Sequence, residues 1–188
     1  MIVFDVETLG KDSNTVILSM AAVYFDPANK PSHHQMRENA FFVKFDAADQ
    51  VKRLKRTMTK STMEWWAKQC ENVRVTSFKP SADDVIFEDG YEMMRTWNKQ
   101  FPKQWVFARG NLDQLVLDSI EEQCELDPIW PFSMWRDVRT AVDFLTGTET
   151  GYCHVDYEGF DTFLDITKHN PIDDCILDAM MLLWGVKK

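Results

Sequence analysis

The sequence predicts an α/β protein with a mixed β-sheet flanked by helices. Three observations carry that prediction. Three apolar runs of strand length fall within the first 45 residues, close enough to form a meander. A fourth run, at residues 104–110, leads straight into a helical pattern. The chain then closes on an amphipathic helix with its own start signal.

The elements follow in order. Residues 1–7 read as the first strand and Val16 to Asp26 as a longer second one, ending in the turn sequence Asp26, Pro27, Ala28, Asn29. Ala40 to Phe45 reads as the third, antiparallel to its predecessor. Residues 30–39, with His33 and His34, are polar and read as an extended hairpin tip. Ser61 to Gln69 reads as a short helix carrying Met63, Trp65 and Trp66. Ser81 followed by Asp84 resembles a capping box, which places a helix from there to about Phe101, weakened in its middle by Gly90. After the fourth strand, Asn111 to Leu126 repeats apolar residues at helical spacing through Leu112, Leu115, Val116, Ser119 and Ile120. Pro128 and Pro131 mark a loop. Residues 136–145 read as a helix closed by Gly147, and residues 146–162 as a loop or flap. Finally, Asn170 caps a helix with Pro171 at its first position and Ile172, Cys175, Ile176, Ala179, Met180 and Leu183 on its apolar face.

Composition narrows the function. The chain has 188 residues, enough for one domain with a sizeable core. A net charge of −9, from 30 acids against 21 Lys and Arg, argues against holding nucleic acid by long-range attraction alone. Bound divalent cations reverse such a field locally, so phosphate chemistry in a metal-loaded cleft stays open. The cysteines at 70, 124, 153 and 175 have no CxxC spacing, which points to free thiols in a reducing cytosol rather than to a zinc knuckle. Met1 leads directly into the first strand, leaving no room for a signal peptide, and no apolar run reaches membrane-spanning length. The expected location is therefore the cytoplasm, with no membrane partner.

Three groups of residues carry chemistry. In MIVFDVETLG, Asp5 and Glu7 are two apart and so share one face of a strand. Two carboxylates on one face repel unless a cation lies between them or water solvates them. In ARGNLDQL, Asp113 opens a helix that follows a strand, where dipole complementarity alone would favour an acid. In HNPIDDC, His169 precedes a helix cap, and Asp173 and Asp174 occupy the opening turn, about 100° apart around the axis. Each group alone is ambiguous.

Together they resemble the three motifs of the DnaQ-like DEDDh 3′→5′ exonucleases, in the ribonuclease-H-like superfamily. FDVETLG is similar to the first motif and ARGNLDQL to the second. HNPIDDC is similar to the third, in which His, four residues and Asp fall on His169 and Asp174 and leave Asp173 outside the metal set. In the second motif Leu112 stands where the family often has an aromatic residue; Asp118, deeper in the helix, is the poorer alternative to Asp113. YFDP, the Trp65–Trp66 pair and RDVRT at 136–140 resemble a small phage and bacterial branch, the exonuclease A type of T-even-like phages. The motifs run from end to end of the chain, so one exonuclease domain is expected over residues 1–188, with a ribonuclease-H-like sheet of three antiparallel strands plus parallel ones.

The resemblance implies two divalent metal ions, Mg²⁺ or Mn²⁺, held by Asp5, Glu7, Asp113 and Asp174, with His169 as general base on the attacking water. It implies the 3′ end of a single-stranded DNA, or of short RNA or DNA oligonucleotides, as partner and substrate, nucleoside 5′-monophosphates as products, and it allows a homodimer. Thr8 and Leu9 would meet the terminal nucleotide, Leu9 as a wedge against its base. Arg109 and Asn111 would contact phosphate, with a salt bridge or a helix cap as equal alternatives. Arg136 and Arg139, three apart, share a helical face on this reading and pair with nearby acids or bind phosphate. Trp65 and Trp66 are expected in the core, and His33, His34 and His154 at the surface. The rival readings are a silent binding module on a nuclease fold and a metallophosphohydrolase of small phosphates.

Overall fold

The computed structural model describes residues 1–187. Its centre is strand β1, Ile2–Thr8, which is hydrogen-bonded on both sides. On one side β2, Ile17–Tyr24, runs antiparallel to it, with Ile2 opposite Tyr24, and β3, Phe41–Lys44, runs antiparallel to β2. On the other side β4, Val106–Ala108, and β5, Trp135–Asp137, continue the sheet in parallel. The order β3-β2-β1-β4-β5 is the mixed sheet of three antiparallel and further parallel strands that the sequence predicts.

Alternation along β1 divides the core. Ile2, Phe4 and Val6 enter one layer with α5, Phe87–Asn98, and α6, Leu112–Gln123. Phe4 there meets Trp130 and Trp135 edge-on, at 5.2 and 5.7 Å. Val3 enters the opposite layer, with α1, His33–Glu38, α7, Val138–Thr146, and α8, Pro171–Trp184. Asp5 and Glu7 have the parity of Val3, so the sheet presents both acids on the α8 side. The remaining short helices are α2, Ala47–Lys52, α3, Lys60–Trp66, and α4, Glu71–Val73, the last running into a π-helical turn at Arg74–Phe78. Leu9, Val16, Leu18, Trp66 and Val73 form a third, smaller cluster at that end. Within the loop after α7, β6, His154–Val155, pairs with β7, Gly185–Val186. Among the described residues no helix is long and apolar enough to cross a membrane, and all four cysteines are free thiols.

Four local expectations are corrected. Residues 30–39 are not an extended tip: Ser32 and Gln35 form a reciprocal capping box that starts α1. That helix turns His33 inward to 3% exposure, whereas His34 and His154 remain at the surface. Ser81 and Asp84 do exchange a bond, Ser81 N–H donating to Asp84 Oδ2 at 2.9 Å, but no helix starts there. Val85 instead bridges to Phe45, and α5 begins at Phe87. Gly90 is a packing requirement in α5, since a Cβ there would stand 2.5 Å from Phe45 Cε1. The helix expected from residue 136 is a strand over its first two residues; Asp137 then caps α7 by accepting the Arg139 and Thr140 N–H groups. Arg136 and Arg139 therefore do not share a helical face. Finally, α6 turns Asp113, Val116, Leu117 and Ile120 inward and leaves Leu115 exposed.

Candidate active site

Four acids influence one another where β1 ends, and of these Glu7 and Asp174 come within ligand reach together with His169, a group that does not include Asp5 or Asp113. Asp5 and Glu7 emerge from the sheet on the α8 side, and a register shift between Glu7 and Thr8 bends the strand just beyond them. The first turn of α6 supplies Asp113, only 7% exposed. The first turn of α8 supplies Asp174, whose helix is fixed by Asn170 accepting the Ile172 N–H and by Pro171 at the first position. Glu7, His169 and Asp174 offer ligand atoms within 4.8 Å of one another.

Electrostatics report the same convergence. Burial pushes the Asp5 carboxyl far above the ordinary carboxylate range, and Asp113, Glu7, Asp174 and Asp178 add repulsion. Burial, with Asp174 and Asp113, does the same to Glu7. Asp113 is raised to about 7 by burial and the nearby Asp178, against a lowering by Arg139. Asp174 is also raised to about 7, chiefly by burial, although the His169 N–H lowers it. Crowded carboxylates of this kind hold protons until a cation displaces them.

His169 adopts a left-handed backbone, φ +65°, which a residue with a β-carbon takes only when its surroundings enforce it. Here its N–H donates to Asp174 Oδ2 at 2.9 Å, tying the imidazole-bearing residue to the acid five positions on. Burial, then the Lys168 charge, lowers the imidazole below its usual value, which favours the neutral ring that a general base needs. Asp173 points elsewhere. It pairs with Arg37 at 2.5 Å and accepts the Thr167 N–H, so it braces the loop before α8.

Of the residues expected to touch substrate, Thr8 is partly exposed beside Glu7 and donates to the Gly10 carbonyl at 2.8 Å. Leu9 is only 3% exposed and packs on Val16, Leu18 and Trp66. The wedge expected of it is thus not presented, because the bend after Glu7 turns Leu9 into the core. Arg109 takes the salt-bridge alternative: its guanidinium binds Asp178 at 2.5 Å and the Gly151 carbonyl at 2.9 Å, and lies 4.1 Å from the Tyr152 ring centre. Asn111 stands at the start of α6 with no capping bond from its side chain and faces solvent. Asp118, the weaker alternative in the second motif, is exposed.

Asp178 escaped the sequence reading, and Trp65 leaves the core place expected of it. Trp66 is buried as expected, with its Nε1–H on the Thr8 carbonyl. Trp65, however, is 39% exposed and meets the His169 ring edge-on at 4.7 Å. With Glu7, Thr8, Lys11, Ser61 and Thr62 it lines a cavity of about 350 Å³. Asp178 lies one turn after Asp174 on α8, a spacing visible in the sequence, and Arg109 neutralises it beneath the acids. Arg139 carries its charge close to Asp113 and Asp178. A second groove, of about 390 Å³, runs along the carboxyl ends of β4 and β5 and is lined by Gly110, Asn111, Gln114 and Arg136, among others.

Comparison with known proteins agrees with this geometry. A family model described as 3′-5′ exoribonuclease Rv2179c-like domain matches residues 1–184. An exodeoxyribonuclease of Enterobacteria phage T4 is 26% identical over 206 aligned positions, covering 98% of this chain and 88% of the phage protein.

Proposed function

The chain belongs to the 3′-5′ exoribonuclease Rv2179c-like domain family and is a 3′→5′ exonuclease; from that premise we propose that it acts on single-stranded 3′ ends with His169 as general base and Asp5, Glu7, Asp113 and Asp174 as ligands of divalent cations. The observation that carries this reading is the meeting of Glu7, His169 and Asp174 within 4.8 Å, near Asp5 and the buried Asp113, which repel these carboxylates. An oxygen-rich donor set with raised carboxyl pKa values fits a hard cation such as Mg²⁺ or Mn²⁺. Two such ions, when bound, would acidify a water and neutralise charge on the phosphate.

The chain's own residues do the rest. His169 takes a proton from the attacking water as its oxygen bonds to phosphorus; the bond to the upstream 3′ oxygen breaks, that oxygen takes a proton from solvent, and a nucleoside 5′-monophosphate leaves. The hydrogen bond from His169 to Asp174 keeps base and acids in one frame. Trp65 shields one side of the imidazole and holds its ring edge-on. The Arg109–Asp178 pair keeps a fifth carboxylate from adding its full charge to the cluster.

The substrate in this reading is single-stranded DNA, or short RNA or DNA oligonucleotides. The phage relative's name specifies DNA and the family's description RNA, and a 2′-hydroxyl is what a site reads to separate them. A silent binding module would not need all four acids and the histidine together. The test is digestion of end-labelled DNA and RNA strands with Mg²⁺ or Mn²⁺. Mononucleotides released in order from the 3′ end are expected, with none from Asp5→Ala or Asp174→Ala. Internal cuts, or full activity in either variant, would overturn the assignment.

A further inference from the structure

We propose that Arg139 is a substrate-binding residue whose guanidinium anchors the phosphate one nucleotide upstream of the scissile bond. The proposal rests on the exonuclease reading above and refines it.

Seven of the eight arginines have side-chain partners. Arg37, Arg53, Arg74, Arg95 and Arg109 pair with carboxylates, and Arg56 and Arg136 donate to backbone carbonyls. Among the described residues, Arg139 alone has a guanidinium that makes neither a hydrogen bond nor an ion pair. Acids are close at hand, so the isolation is not for lack of neighbours. Asp113, which feels its charge, makes no bond to it, and the other three are already engaged. Asp137 accepts from Gly110, Arg139 and Thr140 N–H groups; Asp143 accepts from Thr148 and Gly151; Asp178 accepts from Arg109. The acids hold the frame, and the guanidinium is left available to an incoming anion.

The side chain is also pre-positioned. A Cβ added at Gly151 would stand 2.6 Å from Arg139 Cβ and Cγ, so the left-handed Gly151 clasps the stem. At the far end, Arg139 Nη1 lies 3.6 Å from where a Cβ on Gly110 would be, directly over the loop that leads to Asn111 and Asp113. Holding the stem while the head stays exposed lowers the ordering cost of binding a phosphate.

Its place relative to the acids selects which phosphate. Glu7 and Trp65 line the cavity on the β1 side, which is closed by α3. Gly110, Asn111 and Gln114, which flank Asp113, line the groove on the β4–β5 side. Glu7 borders the first and the neighbours of Asp113 border the second, which puts the scissile phosphate between the two. With the terminal nucleoside on the Trp65 side, the rest of the strand leaves past Gly110, beneath Arg139.

A chemical double-mutant cycle tests this. One axis is Arg139, as Arg139→Gln and Arg139→Lys. The other is a neutral methylphosphonate in place of the second phosphate from the 3′ end, on an oligonucleotide of whichever sugar the enzyme turns over. Wild-type kcat/KM should fall about tenfold with the methylphosphonate, as for one lost charge-assisted contact. Arg139→Gln should start lower and lose little more, with Arg139→Lys between. The slope of log kcat/KM against log salt should flatten by about 0.7 in Arg139→Gln. Independent, multiplying losses, or no methylphosphonate effect on wild type, would overturn the proposal. Failure of wild type to release mononucleotides from the unmodified strand would instead overturn the exonuclease reading.

Discussion

Replacing Asp113 by Asn should stabilise the metal-free protein at alkaline pH and abolish its metal-dependent activity. Asp113 is 7% exposed, and its carboxyl is raised from 3.8 to about 7 by burial and by Asp178. A group whose folded pKa lies above its unfolded one gives full stability below the unfolded value, here about 4. That stability is lost as pH rises through about 7. The shift of 7 − 3.8, about three units, corresponds to a ceiling of about 4 kcal/mol at 1.36 kcal/mol per unit. Four acids share the repulsion, so roughly half of that, about 2 kcal/mol, is expected from removing one charge. For a chain of this size that is about 4–8 °C in Tm. The assay is thermal unfolding by circular dichroism in EDTA, at pH 4 and pH 8. Asp113→Asn should melt several degrees above wild type at pH 8 and within about 2 °C of it at pH 4. A variant no more stable than wild type at pH 8 would refute the crowding of these carboxylates.

Three further outcomes follow from the same geometry. His169→Ala should lower kcat far more than it raises KM and remove the acidic limb of the pH–rate profile; His169→Gly should be equally inactive yet more stable by about 1 kcal/mol, because φ +65° penalises a β-carbon. Trp65→Ala exposes the imidazole, and since burial holds the His169 pKa below its usual value, the acidic limb should move to higher pH; an unmoved limb would separate Trp65 from the base. Arg109→Met should cost about 3–5 kcal/mol at pH 8 by leaving the Asp178 carboxylate buried and unpaired, and adding Asp178→Asn should restore most of the lost Tm.

Much of this was legible from spacing. The two-residue step between Asp5 and Glu7, the cap formed by Asn170 and Pro171, and the five-residue step from His169 to Asp174 each state a local geometry, and β1 and α8 carry them as that geometry requires. What was not legible depends on contacts between distant segments. Trp65 and Trp66 are adjacent and alike in chemistry, and only the packing of α3 decides that one fills the core while the other meets His169. Leu9 has no local signal for its burial; the cluster with Val16 and Leu18 draws it in. Residues 135–137 are too short a run to announce a strand, and they become one because β4 offers an open parallel edge. Conversely, the Ser32–Gln35 capping box was readable and marks α1 plainly. The Ser81–Asp84 pair shows the opposite outcome, a cap-like bond that forms without its helix because β3 captures Val85.

In the proposed chemistry four carboxylates, beside one imidazole, hold divalent cations at the end of β1. Calorimetric titration of Mn²⁺ into the metal-free protein at pH 8 counts those cations. Two ions per chain are expected, with proton release on binding and loss of at least one ion in Asp5→Asn and in Asp174→Asn. Absence of binding by wild type, or unchanged stoichiometry and affinity in both variants, would contradict that chemistry.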